Sequence, residues 1–295
     1  MKLGMIGLGR MGGNMAERLR RHGHEVIGYD AYSDATQVKS LAELVDALGP
    51  AGGRVVWVMV PSGDPTEETV AELAALLDPG DLVIEGGNSN WRDSVRRGDQ
   101  LLAAQIGFID CGTSGGVWGL DNGYCLMVGG RAEDVSKARP IFDALTPEEG
   151  GFAHVGPIGA GHFSKMVHNG IEYGMMQAFA EGYEIMSASE LGIDVAAAME
   201  SWRHGSVVRS WLLDLLVDGL KKYPGLEGIA PVAKDSGEGR WTVEEAVRLG
   251  VPANVIAASL WSRFASQRES LAMKMVAMLR AQFGGHAIVT EAKTS

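Results

Sequence analysis

The sequence predicts an α/β domain with a doubly wound, largely parallel sheet, followed by an all-α helical domain. Up to about residue 155, short runs of β-forming residues alternate with amphipathic helical stretches, which is the pattern of consecutive βαβ units. A glycine-rich turn follows the first of these runs at once. Beyond residue 161 the apolar residues follow helical spacing, and no further strand is predicted.

The first half of the chain contains seven candidate strands. They cover Lys2–Ile6, Glu25–Tyr29, 54–60, Leu82–Glu85, 107–109, 124–128 and 152–155. Amphipathic helices are predicted between them over 12–21, 66–77, 91–104 and 133–145. Strands that alternate with helices in this way form a largely parallel sheet with helices on both faces.

The second half is predicted to be helical throughout. Its helices cover 162–191, Val195–Trp202, 209–223, 242–249 and 254–280. The segment Gly156-Pro-Ile-Gly-Ala-Gly161 separates the two patterns, and such a Gly/Pro cluster is typical of a domain junction. We therefore predict one domain over 1–156 and a second over 157–295.

Composition and charge exclude several classes of function. The formal charge of −11 argues against general nucleic-acid binding. The two cysteines, Cys111 and Cys125, belong to no Cys/His cluster, so we expect no metal site and expect both to be small buried residues. No apolar run has the length of a membrane span, and the first residues lack the pattern of a signal peptide. We therefore expect a cytoplasmic protein.

The turn after the first predicted strand has the sequence Gly7-Leu8-Gly9-Arg10-Met11-Gly12 and opens a helix. In such a turn the first two glycines allow a close backbone approach to a pyrophosphate, and the third allows close packing of helix on strand. The positive end of the helix faces the phosphates. These six residues predict a Rossmann-type dinucleotide-binding domain.

Asp30 ends the second predicted strand and bears on the choice of dinucleotide. A carboxylate at this position accepts a hydrogen bond from the adenosine ribose 2′-OH and repels a 2′-phosphate. Ala31 and Tyr32 follow, so no arginine stands ready for that phosphate. The sequence therefore favours NAD over NADP as the cofactor. Val60 and Pro61, at the end of the third predicted strand, are expected to contact the nicotinamide ribose.

The segment from Lys165 to Tyr173 carries an unusual set of polar side chains. At about 100° per residue, one helical face within about 140° holds Lys165, His168, Asn169, Glu172 and Tyr173. The opposite side, where a core could take them, holds Met166, Val167 and Ile171. A base and an acid seven residues apart on one face suit two-stage proton chemistry. The alternative is a solvated face with i,i+4 pairs.

Two polar loops are predicted after the fourth and fifth clear strands, where doubly wound sheets bind ligands. The first is Glu85-Gly-Gly-Asn88-Ser89, and the second is Asp110-Cys-Gly-Thr-Ser114-Gly115-Gly116. The hydroxyl and backbone N–H groups of the second suit a carboxylate or an alkoxide. Either loop alone is also compatible with a simple turn. Together with the glycine turn and the helical face, they predict a binding site.

On these motifs the chain closely resembles the 6-phosphogluconate dehydrogenase family. The matching segments are Gly7 to Gly12, Gly86-Gly-Asn-Ser-Asn-Trp-Arg-Asp93, Ser114-Gly-Gly116, Gly161 to Gln177 and Gly239-Arg-Trp-Thr242. The common form of the family is much longer and has a duplicated helical domain, so this chain looks like the short, bacterial-type form. The resemblance implies oxidative decarboxylation of 6-phosphogluconate to ribulose 5-phosphate and CO2, within the pentose phosphate pathway.

The resemblance also implies roles for individual residues. Lys165 matches the general base, Glu172 the acid that helps to protonate C1, and Asn169 a residue that positions Lys165 or the carbonyl oxygen. The sugar-acid end is implied to contact His168, Ser114, Gly115 and Gly116, together with Asn88, which we also assign to the cofactor. No metal is implied.

The implied phosphate contacts are Tyr173, Arg263, Arg280 and His286. The last two match an Arg and a His that the family supplies from the C-terminal tail of the neighbouring subunit, so we expect at least a homodimer. Without a role in binding, Arg280 would be a cation near the C-terminal end of a helix, and His286 would be an exposed tail residue. Ser236 and Glu238 stand where longer relatives have a lysine and a threonine. Arg240 or Lys234 compensates, or the phosphate site is rebuilt.

Two other functions remain open at this stage. One is a non-decarboxylating β-hydroxyacid dehydrogenase acting on 3-hydroxyisobutyrate or tartronate semialdehyde, which has the same fold, glycine turn and catalytic lysine. The other is a non-catalytic NAD(H)-binding sensor. Glu172, His168 and the basic tail favour the phosphosugar substrate over both.

Overall fold

The structure is a computed structural model that describes residues 1–284. The chain divides into two compact units, Met1–Asn169 and a second that begins at Gly170. The Gly/Pro cluster over 156–161 predicted a division at 156/157, which stays a prediction.

The first unit is built on a seven-stranded sheet. Its strands are β1 (Lys2–Ile6), β2 (Glu25–Tyr29), β3 (Val55–Val58), β4 (Leu82–Glu85), β5 (Gly107–Ser114), β6 (Cys125–Gly130) and β7 (Phe152–Gly156). They are arranged in the order β2-β1-β3-β4-β5-β6-β7. All neighbours are parallel except β5 and β6, which pair antiparallel. The predicted doubly wound α/β class is confirmed.

Two apolar clusters cover the sheet because successive side chains of a buried strand point to opposite faces. Val55 and Trp57 of β3 belong to one cluster, and Val56 and Val58 belong to the other. The helices of this unit are α1 (Arg10–Arg21), α2 (Leu41–Ala47), α3 (Asp64–Leu76), α4 (Trp91–Ala103), α5 (Gly119–Asn122), α6 (Ala132–Leu145) and the first part of α7 (Ala160–Ser187).

Helix α2 is missing from the sequence-based prediction, although the sequence contains a signal for it. Ser40 caps the helix by accepting a hydrogen bond from the Glu43 N–H at 3.1 Å, and Glu43 accepts one from the Lys39 N–H at 2.8 Å. A serine followed three residues later by a glutamate is a helix-start pattern. The helix has only seven residues, too few for its apolar periodicity to stand out.

The second unit is helical over its described residues. After α7 come α8 (Val195–Trp202), α9 (Trp211–Lys222), α10 (Glu238–Leu249), α11 (Asn254–Ser266) and α12 (Leu271–Gly284). Its core includes Met199, Leu213 and Val217. The prediction of one helix over 254–280 is wrong. The helical structure is interrupted at 267–270. Ser270 accepts a hydrogen bond from the Met273 N–H and caps the start of α12.

Three smaller predictions are also corrected. Strand β5 continues to Ser114 because 110–114 pairs with β6, so the predicted loop over these residues is a strand. Cys125, at the start of β6, is exposed rather than buried. Ile171 is 53% exposed and does not enter a core.

Among the described residues, no helix combines the length and hydropathy needed to cross a bilayer.

Candidate active site

The glycine turn between β1 and α1 has the geometry that a bound dinucleotide requires. Gly7 has φ of +88°, and a Cβ there would lie 2.7 Å from the Met59 carbonyl oxygen. A Cβ on Gly12 would collide with the Gly7 carbonyl oxygen, so α1 packs directly on the turn. Gly9, at the N-cap of α1, faces open space where a pyrophosphate is held in this fold. Gly7, Gly9 and Gly12 therefore fit the pyrophosphate of a bound dinucleotide.

Asp30 is held in place at the end of β2 by two backbone hydrogen bonds. The Leu8 N–H donates to Oδ2 at 2.7 Å, and the Tyr32 N–H donates to Oδ1 at 2.8 Å. The first bond ties the carboxylate to the glycine turn. Of the residues predicted near the nicotinamide, Val60 is half-buried and Pro61 exposed, and both follow the end of β3.

Asn88 joins the segment after β4 to the end of β5. Its Nδ2 donates to the Thr113 carbonyl oxygen at 3.2 Å, and its Oδ1 accepts from the Thr113 N–H at 2.9 Å. Asn88 has φ of +53°, a left-handed conformation that this pair of bonds holds. The structure thus brings Asn88 beside the strand that ends in Ser114.

The segment after β5 turns sharply through glycine. Gly115 and Gly116 have φ of +131° and +53°, conformations that a side chain would strain. Ser114 is half-buried beside them. Cys111, earlier on the same strand, is fully buried, and this burial raises the pKa of its thiol. A nucleophilic role for Cys111 is therefore disfavoured.

Lys165 lies on the second turn of α7 and is only 5% exposed. Its Nζ is 3.5 Å from His168 Nδ1, which in turn is 2.9 Å from Asn169 Oδ1. An amine, an imidazole and an amide thus form one connected polar group, as predicted for this face. Glu172 is on the same helix and is half-buried.

Gly112 of β5 is a site residue that sequence reasoning missed. A Cβ at Gly112 would lie 2.5 Å from Lys165 Cβ and 2.7 Å from the Gly161 carbonyl oxygen. Helix α7 therefore sits directly on β5 at the level of the lysine. The sequence shows the glycine in Cys-Gly-Thr-Ser but gives no sign of what packs against it.

In the second unit, Tyr173 and Arg263 lie together. The Arg263 guanidinium carbon is 3.4 Å above the centre of the Tyr173 ring, a cation–π arrangement. The Tyr173 hydroxyl accepts a hydrogen bond from the Ser236 N–H at 2.9 Å and is 3.1 Å from Ser236 Oγ. Arg263 also donates to the Lys234 carbonyl oxygen at 3.0 Å.

The remaining predicted phosphate residues are placed differently. Arg240 pairs with Asp235 at 2.7 Å and stacks 5.2 Å from the centre of the Phe264 ring, so its charge is already engaged. Lys234 is exposed. Arg280 lies on the exposed helix α12, and His286 lies outside the described residues.

Among the described residues, no group of three or more His, Cys, Asp or Glu side chains is arranged to hold a metal ion. The glycine turn, the fixed Asp30 and the buried lysine on α7 together define an oxidoreductase of the dinucleotide-binding class.

Comparison with known proteins narrows this class to one family. Residues 2–156 match the model described as the NAD binding domain of 6-phosphogluconate dehydrogenase, and residues 161–294 match the one described as its C-terminal domain. The chain therefore belongs to the 6-phosphogluconate dehydrogenase family, as its motifs predicted.

Individual relatives cover almost the whole chain. It is 42% identical to YqeC of Bacillus subtilis, covering 97% of this chain and 99% of that protein. It is 38% identical to an NAD(+)-dependent, decarboxylating 6-phosphogluconate dehydrogenase of Haloferax volcanii, covering 98% of each. Among solved structures, 6-phosphogluconate dehydrogenase of Plasmodium falciparum has a TM-score of 0.79 at 24% identity, covering 100% of this chain and 67% of that one.

The same fold occurs in a second class of enzyme. The 3-hydroxyisobutyrate dehydrogenase of Mycobacterium tuberculosis has a TM-score of 0.67 at 20% identity, covering 90% of this chain and 94% of that one. At this identity the likeness concerns the fold alone. It does not favour the non-decarboxylating reaction.

Proposed function

We propose that this chain catalyses the NAD-dependent oxidative decarboxylation of 6-phosphogluconate to ribulose 5-phosphate and CO2. Its family membership supports the reaction, and one observation supports the chemistry. Lys165 is buried beside His168 and Asn169, on a helix packed against the strand that ends in Ser114. A buried amine in contact with other polar groups is a candidate general base.

In the first stage, Lys165 Nζ takes the proton of the C3 hydroxyl while a hydride leaves C3. NAD, when bound, accepts that hydride. The lysine must be neutral at this point in order to accept the proton. His168 contacts the amine and is itself in contact with Asn169, so this pair orients Lys165 Nζ.

In the second stage, the 3-keto acid loses CO2 because the new carbonyl group takes up the electrons of the breaking C1–C2 bond. Lys165, now protonated, stabilises the resulting enediolate oxygen. Glu172 helps to deliver a proton to the carbon that lost CO2, giving C1 of the ketose. Glu172 lies seven residues after Lys165, about two turns along α7, on the same face of the helix.

The contacts with the substrate follow the family pattern. We assign Asn88, Ser114, Gly115, Gly116 and His168 to the sugar-acid end. For the phosphate we assign Tyr173 and Arg263, with Arg280 and His286 from a neighbouring subunit. Lys234 rather than Arg240 supplies the missing cation, because Lys234 is exposed next to Arg263 whereas Arg240 is paired with Asp235.

We assign NAD as the preferred cofactor on the strength of Asp30. Its carboxylate is fixed by the Leu8 and Tyr32 N–H groups, so it cannot easily turn away from a 2′-phosphate. Cytoplasmic location remains a prediction.

Exposed apolar side chains on α12 support the proposed oligomer. Helix α12 exposes Leu271 and Met273 by 72% and 60%, and Met275 and Leu279 by 53% each. Such a contiguous apolar surface marks an interaction site, and a symmetric copy of the same chain is the commonest partner. Sedimentation of the purified protein tests this, since a monomer at micromolar concentration would contradict it.

The function is tested by incubating the purified protein with 6-phosphogluconate and NAD while NADH and CO2 are both measured. Equal amounts are expected. NADH without CO2 would favour the hydroxyacid dehydrogenase. No turnover of 6-phosphogluconate or 3-hydroxyisobutyrate with NAD, or of tartronate semialdehyde with NADH, would favour the sensor.

A further inference from the structure

We propose that three buried side chains, Ser94, Asp110 and His162, act as positioning residues that fix the first turn of α7 and thereby aim Lys165. This α7 anchor lies wholly within the first unit. The proposal rests on the proposed function of Lys165 as a base. Sequence reasoning assigned this role to none of the three residues.

Asp110 supplies the cap that α7 does not provide for itself. The carboxylate is fully buried, and its Oδ1 accepts from the Gly159 N–H and its Oδ2 from the His162 N–H, both at 2.7 Å. The His162 N–H belongs to the first turn of the helix and the Gly159 N–H directly precedes that turn, so neither has an intrahelical acceptor. Gly159, just before the helix, has no side chain with which to cap it. A carboxylate there also interacts favourably with the helix dipole.

His162 connects the same turn to a second element. Its Nδ1 is 2.8 Å from Ser94 Oγ of α4, and both residues are buried. His162 Nε2 is buried with no hydrogen-bond partner in the described part of the chain. The contact with Ser94 is therefore the hydrogen bond that orients this ring.

The backbone of the first turn is held against the sheet as well. A Cβ on Gly161 would lie 2.5 Å from the carbonyl oxygens of Asp110 and Met127. A Cβ on Gly129 would lie 2.6 Å from the Pro157 carbonyl oxygen. The start of α7 thus touches β5 and β6 backbone to backbone, and Lys165 follows one turn after His162.

Directional bonds matter here because a general base must be placed accurately. Hydrogen bonds are directional, so they add to this packing in fixing the rotation of the helix about its axis. Burial raises the pKa of the Asp110 carboxyl, so an ionised group at this place is costly. The two N–H groups and His162 oppose that effect. A misplacement of about 1 Å in a reacting group can cost about a hundredfold in rate.

The first test compares two buried aspartates. Asp81 is also buried and accepts hydrogen bonds from the Gly52, Gly53, Arg54 and Asp78 N–H groups, at the start of β4. Asp110→Asn and Asp81→Asn should both lower the melting temperature. Only Asp110→Asn should slow single-turnover hydride transfer, by about ten- to a hundredfold, with the Kd for NAD unchanged. Equal loss in both variants, or none in Asp110→Asn, would overturn the proposal.

The second test asks whether the hydrogen bond of His162 matters. Asn presents a polar atom near the place of Nδ1, whereas Leu fills the volume without one. The rate of hydride transfer should fall in the order wild type, His162→Asn, His162→Leu. Equal rates for Asn and Leu would contradict a role for the contact with Ser94.

A third measurement separates this proposal from the proposed function. Hydrogen exchange of the segment 157–168 is measured in the ligand-free protein, where no turnover is needed. Exchange there should rise in Asp110→Asn and not in Asp81→Asn. Lack of turnover by the wild type would refute the proposed function, whereas unchanged exchange in Asp110→Asn would by itself refute the anchor.

Discussion

Gly112 of β5 and Lys165 of α7 are in such close contact that no side chain fits between them: a Cβ on Gly112 would lie 2.5 Å from Lys165 Cβ. The helix that carries the proposed base is thus seated on the strand that ends in Ser114. Close backbone packing at Gly112 therefore contributes to where the lysine stands.

Gly112→Ala should displace Lys165 and lower kcat by about a hundredfold or more. The added methyl group also meets the Gly161 carbonyl oxygen at 2.7 Å, so the protein should lose stability too. Gly53→Ala is the control, because a Cβ there meets no atom within 4 Å. Steady-state kinetics and thermal unfolding of both variants provide the measurement, and an unchanged kcat in Gly112→Ala would contradict the contact.

Asp30→Asn should shift the cofactor preference toward NADP. The amide keeps one acceptor for the backbone N–H groups but removes the charge that repels a 2′-phosphate. The ratio of kcat/KM for NADP to that for NAD should rise by about tenfold, the size of one hydrogen bond to a charged group. Asp34→Asn, an exposed neighbour, serves as the control. A ratio that stays the same in Asp30→Asn would remove the basis for assigning NAD.

Lys234→Met should raise the KM for 6-phosphogluconate by about tenfold, because a lost charge-assisted contact is worth about 1.5 kcal/mol. Arg240→Met should change it less, since the Arg240 charge is already paired with Asp235. The KM for NAD should stay the same in both variants. If Arg240→Met has the larger effect on the substrate, the assignment of the phosphate cation is wrong.

Acid should weaken the first unit through Glu67. Its hydrogen bond from Arg96, with a further one from Arg97, lowers the pKa of the Glu67 carboxyl from 4.5 to about 2. The unfolded chain binds this proton first, so the contribution to stability is present above about pH 4.5 and lost as the pH falls toward 2. The free energy of unfolding is measured by urea titration at a series of pH values. Over this acidic range it should depend less on pH in Glu67→Gln than in the wild type, and Glu68→Gln should behave as the wild type does.

Much of the first unit can be predicted from the sequence because its strands are short, apolar and separated by turn residues. β1, β2 and β4 have the predicted bounds. The predicted strand β5 was too short because Cys-Gly-Thr-Ser has the composition of a loop. Only the pairing of this segment with β6 makes it a strand. The break before α12 was missed for a related reason: apolar spacing continues across it, and the cap on Ser270 is a local feature.

The candidate site was predictable in part. The polar face of α7 follows from helical periodicity, and the contact among Lys165, His168 and Asn169 agrees with it. Neither Gly112 nor Asp110 could be assigned in this way. Their roles depend on which residues of α7 lie against β5, and a single sequence does not contain that information.

Single-turnover hydride transfer in Lys165→Met tests the central claim most directly. Methionine fills most of the volume of the buried lysine but cannot accept a proton, so the protein should fold and bind NAD as the wild type does. Mixed with NAD and 6-phosphogluconate, it should form NADH at least about a thousandfold more slowly, within the range for loss of a general base. NADH formation within tenfold of the wild-type rate would contradict the account.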